Sequence, residues 1–236
     1  MNKASSMFAQ PTLDTRLRPL EAVKAVRRLL ANPDQTKEVF VILRAMRGRS
    51  GIRLFRRFQQ SPMGARILAE RRCLLNTLSD ATALAAMPAG SLGHDYRRFM
   101  AAENLSAAGL LAPSQSWDDE PASPEVKLFR ERMRDMHDLT HVLTGYGRDP
   151  LGELCLLAFT YSHTGNLGMA LIVLMGFLQI KSWPVRRAVL EAWRHGRTAR
   201  MWFPGTDWES LLPETLDRLH KRFNIIEPAA YRGAMS

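Results

Sequence analysis

The sequence predicts an all-α protein, a single-domain multi-helix bundle. Three observations carry that expectation. Apolar residues recur at spacings of three and four along most of the chain. Helix-start pairs, a polar cap followed by proline, stand at Ser61-Pro62, Ser123-Pro124 and Asp149-Pro150. The chain has 236 residues and is 46% hydrophobic, enough for one sizeable core. The domain is expected over residues 16–228, with loose ends at 1–15 and 229–236.

The elements follow in order. Leu20, Val23, Val26, Leu29 and Leu30 give a first helix over 20–30, ended by Asn32-Pro33-Asp34. The apolar block at 39–43 continues to Ala45 and Met46 and is read as helix. Ser61-Pro62 opens a helix expected to run to about Leu78. Met87 to Gly90 form a turn, and a helix is expected over Leu92–Leu111. Residues 112–124 read as a surface loop. Ser123-Pro124 opens a helix that stops near Gly145, and Asp149-Pro150 opens the next. Further helices fit 184–197 and 213–223. The stretch 167–180, LGMALIVLMGFLQI, is short of the ~20 residues a spanning helix needs. A buried core helix is the first expectation there. The alternatives are the wall of an apolar pocket and a helix dipping into one leaflet.

Charge is uneven. The net charge is +10, yet residues 16–72 alone hold fifteen Lys/Arg and four Asp/Glu. That basic third suits a solvated surface, anionic lipid headgroups or nucleic acid. No nucleic-acid recognition module appears, and no G-x-G-x-x-G or P-loop. Two cysteines, Cys73 and Cys155, give no disulfide framework and suit a reduced compartment. The N-terminal segment lacks the apolar run of a secretory signal. A mean hydropathy of -0.20 argues against a membrane bundle.

The chemistry concentrates between Arg132 and Glu153. His137 and His141 are four apart, so they share a helix face, as in H-E-x-x-H sites. Glu153 lies about one turn into the next helix, beyond a short glycine turn. An antiparallel fold-back brings it beside His141. Two imidazoles and a carboxylate suit Zn, Fe(II), Co or Mn. Asp138 is a ligand, an acceptor that fixes an imidazole tautomer, or a base. The bland reading is a solvated pair of histidines. Arg132 and Arg134 suit bidentate binding of a carboxylate or phosphate, or ordinary ion pairing with Glu131 and Asp135. His94 and Tyr96 are further pocket candidates. His163 is too far along its helix to join the histidine pair. His195 and His220 read as surface groups, and both cysteines as core.

These residues carry a resemblance. The chain resembles the coenzyme Q biosynthesis protein 4 family, whose signature is H-D-x-x-H followed after eleven residues by Glu. His137-Asp138-x-x-His141 and Glu153 match it. MPAGSLGHDYRRF at 87–99, SPMGARIL at 61–68 and DWE at 207–209 are similar to further family blocks. Leu157, Thr160 and Gly165-Asn166-Leu167 depart from the family's Lys, Glu and G-L-P.

The resemblance implies an all-helical protein with a helix-hairpin metal site and a hydrophobic lipid pocket. It implies ubiquinone biosynthesis, by metal-dependent C1 decarboxylation and hydroxylation of a polyprenylated hydroxybenzoate. His137, Asp138, His141 and Glu153 are then the metal set, with Asp138 and Arg134 as catalytic candidates. Zinc is the first expectation, with iron, cobalt, manganese and magnesium as alternatives. The expected partners are a prenylated aromatic lipid, other ubiquinone biosynthesis enzymes and an anionic membrane surface, with a homo-oligomer as an option. The expected location is cytoplasmic, peripheral on the inner membrane. The competing expectation is a non-catalytic prenyl-lipid scaffold for those enzymes.

Overall fold

Side-chain caps set the helix starts that matter most. A computed structural model describes residues 15–32, 35–118 and 122–236. The segment expected to be loose at 1–15 therefore lies, but for its last residue, outside the described residues. The helices in chain order are α1 (Pro19–Ala31), α2 (Thr36–Ala45), α3 (Gly48–Gln60), α4 (Pro62–Glu70), α5 (Leu74–Ser79), α6 (Ala81–Ala85), α7 (Leu92–Ala102) and α8 (Leu111–Asp118). They continue with α9 (Pro124–Thr144), α10 (Pro150–Thr164), α11 (Leu167–Gln179), α12 (Trp183–Thr198), α13 (Trp208–Leu211), α14 (Leu216–Phe223) and α15 (Ala229–Met235). Among the described residues the β structure amounts to an isolated bridge, Ser91 to Thr215. The fold class is all-α, as the periodicity predicts.

The cap-and-proline signals are realised. Ser61 Oγ accepts from Gly64 N at 3.0 Å, and Ser123 Oγ from Val126 N at 3.4 Å. Asp149 Oδ1 accepts from both Leu151 N and Gly152 N, at 3.1 and 3.0 Å. Each oxygen satisfies an amide that the first turn leaves open.

Four expectations change. The helix expected from Ser61 to Leu78 breaks at Arg71, whose φ of 50° is left-handed. The break frees Arg72 to pair with Asp207 and Glu209. The helix expected to reach Leu111 ends at Ala102, with Asn104 left-handed beyond it; asparagine tolerates that conformation. The loop expected at 112–124 holds α8, packed on α2 and α9 with Ser114 buried. The loose end expected at 229–236 is α15, docked on α12 with Tyr231 buried.

A fifth change concerns 167–180. The segment is helical, but only Gly168 and Ile172 of α11 are buried. The helix lies on the outside of α10 and α2 instead of within the core. Gly168 permits that approach, because a Cβ there would sit 2.7 Å from the Leu43 Cα.

The main core gathers α5, α7, α9, α10 and α12 to α15 around Leu139, Phe159, Phe203 and Trp208. A smaller cluster holds Phe55, Phe58 and Phe129 between α3, α4 and the start of α9. Another joins α1, α2 and α11 through Ala25, Ile42 and Ile172. Met133 packs against the first two clusters, and Leu154 bridges the first and third. Arg132, wholly buried, forks onto Glu209 at 2.8 and 2.6 Å. This ties α13 to α9.

Candidate metal centre

Glycines make the hairpin that assembles the site. Gly145 ends α9 with φ 75°, and its N–H donates to the His141 carbonyl at 2.8 Å. The first turn of α10 then closes onto the turn backbone. A Cβ on Gly152 would lie 2.1 Å from the Gly147 carbonyl oxygen, so only glycine fits. Tyr231 of α15 braces this turn. Its hydroxyl accepts from Gly147 N at 3.1 Å and donates to Asp149.

The fold-back brings Glu153 between the two histidines. His137 Nε2 lies 3.5 Å from Glu153 Oε2, and His141 Nε2 lies 3.4 Å from Glu153 Oε1. The imidazole centroids are 4.7 Å apart. Donor atoms of His137, Asp138 and His141 also lie within 4.8 Å of one another. Phe99 of α7 stacks on His141, with centroids 5.8 Å apart and planes at 21°.

Hydrogen bonds on the far ring nitrogens fix what faces the centre. His141 Nδ1 is 2.9 Å from the Tyr146 carbonyl oxygen, which can only accept. Nδ1 therefore carries a proton, and Nε2 is the atom turned toward Glu153. That Nε2 is buried and has no hydrogen-bond partner. His137 repeats the pattern, its Nδ1 3.1 Å from Asp138 Oδ1. Two imidazole Nε2 atoms turned toward a carboxylate form the donor set of a divalent cation. The residues present thus fit a metal, with Asp138 on the outer nitrogen of His137.

Electrostatics agree. Burial alone would push the Glu153 carboxyl up, but both imidazoles outweigh it and hold the group well below its usual range. Burial also opposes a charge on His137, yet Asp138 and Glu153 push its pKa up to about 10. Asp138 is held below its ordinary value, His137 again outweighing burial. With no ion bound, His137 is thus protonated between two carboxylates, a position where a divalent cation would take the proton's place.

The other sequence candidates separate. Arg134 is buried, its Nε donating to Asp135 Oδ1 at 2.9 Å and its Nη1 to Ser114 Oγ at 3.2 Å. Arg132 is committed to Glu209. Tyr96 is buried on α7, and burial with the nearby Asp138 and Asp135 pushes its hydroxyl up. His94 pairs with Asp95. His163 stacks on Phe203 at 4.6 Å, away from the histidine pair. His220 is half-buried and, at 2.8 Å from the Leu143 carbonyl, closes the end of α9. Cys155 is fully buried and Cys73 partly so.

Sequence reasoning misses Arg148 and Phe99. Arg148, in the turn between α9 and α10, lies 3.8 Å from Glu153 Oε1 and 3.9 Å from Glu103 Oε2. Its Nε is buried without a hydrogen-bond partner, while the side chain as a whole is 32% exposed. The turn's shortness was the available signal, since any residue in it must lie beside the site.

A cavity of about 70 Å³ lies between α2, α3, α9 and the start of α11. Leu43, Leu54, Phe129, Met133 and Met169 line it, with Arg47 and Arg130 at its wall. Met133 stands one helical turn before His137 on α9.

Among known proteins, the sequence model of the family described as coenzyme Q (ubiquinone) biosynthesis protein Coq4 matches residues 16–229. A mitochondrial ubiquinone biosynthesis protein COQ4 homolog of Danio rerio is 33% identical over 206 residues, 84% of this chain and 73% of that protein. The Bos taurus homolog is 29% identical over 81% of this chain and 72% of its own length. The match to the Rattus norvegicus homolog is 36% identical and spans 52% of this chain but only 45% of that protein. A crystal structure titled a putative ubiquinone biosynthesis protein from Nostoc punctiforme superposes with a TM-score of 0.63. It covers 89% of this chain and 99% of its own at 20% identity, which speaks for the shared fold. The chain belongs to the Coq4 family of coenzyme Q (ubiquinone) biosynthesis proteins.

Proposed function

We propose that this protein is a metal-dependent enzyme of ubiquinone biosynthesis that replaces the C1 carboxyl of a polyprenylated hydroxybenzoate by a hydroxyl. The carrying observation is the buried, unpartnered Nε2 of His141 facing Glu153, with His137 alongside. His137, His141 and Glu153 would hold a divalent cation, zinc first by its donor set. Asp138 would orient His137 through Nδ1. When bound, the metal supplies Lewis acidity toward ring or carboxylate oxygens.

The protein's own groups divide the remaining work. Arg148, with an unspent donor beside Glu153, would pair the substrate carboxylate. It takes the role expected of Arg134, whose guanidinium is already engaged. Phe99 holds His141 in plane. The cavity next to Met133 is apolar enough for the end of a prenyl tail. The carboxyl leaves as carbon dioxide and a C–O bond forms at the same ring carbon. That exchange is a two-electron oxidation, so the assay needs dioxygen with a reductant, or a two-electron acceptor. The other proposed partners are ubiquinone biosynthesis enzymes and an anionic membrane surface, approached from the cytoplasmic side. Among the described residues no helix is long and apolar enough to cross a membrane.

The test is bound-metal analysis with turnover of the prenylated hydroxybenzoate, on the protein and on His141→Ala and Glu153→Ala. Loss of metal and of carbon dioxide release in both variants is expected. Full turnover in either variant would sink the metal role. Tight prenyl-lipid binding without turnover, with metal and oxidant supplied, would favour the scaffold instead.

A further inference from the structure

We propose that the outer face of α11, with the turn into α12, is a membrane-docking surface that lies in the plane of an anionic bilayer. The observation is an apolar helix with nothing over one side among the described residues. Leu167, Leu174 and Leu178 are 43%, 54% and 60% exposed, and Leu171 is half-buried between them. Spacings of four, three and four put these residues in one stripe. Trp183, the first residue of α12, is 65% exposed. The inner side is accounted for: Ile172 packs with α1 and α2, and Gly176 sits against Leu154.

Charge selects the occupant. Between Glu153 and Glu191 the chain has no carboxylate, whereas Lys181, Arg186 and Arg187 follow the apolar helix. A second copy on this stripe would bring like charges together with no carboxylate in the segment to meet them. An anionic lipid surface meets them directly. An apolar stripe with tryptophan and basic residues at its end matches the pattern of helices that lie in the headgroup region. Thirteen residues are too few to span, which favours the in-plane position.

The surface deepens the proposed function, and its site reading is needed only for the consequence. Gly176 of α11 rests on Leu154, the neighbour of Glu153. A bilayer under α11 would therefore lie close to the start of α10, where a lipid-borne ring has to arrive.

Vesicle partitioning tests the surface without turnover, so its failure and that of the enzymatic reading are separable. The full chain is sedimented with vesicles of phosphatidylcholine alone and of phosphatidylcholine with phosphatidylglycerol in equal parts. Partitioning should favour the anionic vesicles, fall with salt and keep a salt-resistant part. The double variant Leu174→Ser/Leu178→Ser should partition at least about tenfold less, with helicity and oligomeric mass unchanged. Trp183 fluorescence, identified by difference from Trp183→Phe, should be quenched by brominated lipid. Unchanged partitioning of the double variant overturns the surface. So does a Trp183 that stays unquenched while the protein is vesicle-bound. A double variant that dissociates from an oligomer yet still binds vesicles assigns the stripe to a second copy and also overturns it.

Discussion

At the scale of single residues, His141 shows how one backbone carbonyl decides chemistry. The Tyr146 carbonyl accepts a hydrogen bond from Nδ1, and the buried Nε2 is turned toward Glu153. The i, i+4 histidines and the acid beyond the turn were legible in the sequence, because helical spacing alone puts them together. The role of Asp138 was not, since a ligand and an orienting acceptor have the same spacing; its contact with His137 Nδ1 favours the acceptor. Asp138→Asn should therefore keep a metal but bind it roughly 10- to 100-fold more weakly. Competition with a chromophoric chelator measures this. A loss as complete as that of His141→Ala would make Asp138 a ligand.

At the scale of elements, caps and prolines announced where helices begin, and the structure begins α4, α9 and α10 there. Helix ends were harder to read. Arg71 and Asn224 leave their helices left-handed without a glycine to mark the place. Helix–helix approach was also hidden. Gly196 of α12 meets the Phe159 backbone of α10, where a Cβ would stand 2.4 Å from the carbonyl oxygen. Backbone cannot swing aside as a side-chain tip can. Gly196→Ala should cost roughly 1–3 kcal/mol of stability, read as a lower urea midpoint at unchanged slope. Gly233→Ala, with nothing within 4 Å of its Cβ, should leave the midpoint level or raise it. Equal effects would mean that the α10–α12 crossing is looser than it is drawn.

At the scale of the whole molecule, pH couples to folding through His163. Its ring is buried between Phe159 and Phe203. Burial, helped by the nearby Arg57, pulls its pKa down from 6.5 to about 4. The unfolded chain binds a proton below about 6.5 that the folded chain refuses until about 4. Stability from this group is thus complete above 6.5 and is lost as pH falls toward 4, on the order of 3 kcal/mol. His163→Phe should flatten the stability profile across that window; a parallel fall in both proteins would show that other groups carry the acid response. The sequence placed His163 outside the site but held no sign of its burial. Nor did it reveal the exposure of α11, since an apolar run has the same composition whether the core or a membrane receives it. The ion network of Arg72, Arg132, Asp207 and Glu209 joins segments far apart in sequence; only its DWE stretch stood out beforehand.

The clasp of Tyr231 on Asp149 and Gly147 has a practical corollary for anyone handling the protein. A fusion or truncation that disturbs α15 acts on the helix that braces the turn carrying Arg148. A preparation with a low metal content is therefore worth remaking with its handle at the other end before any histidine is blamed.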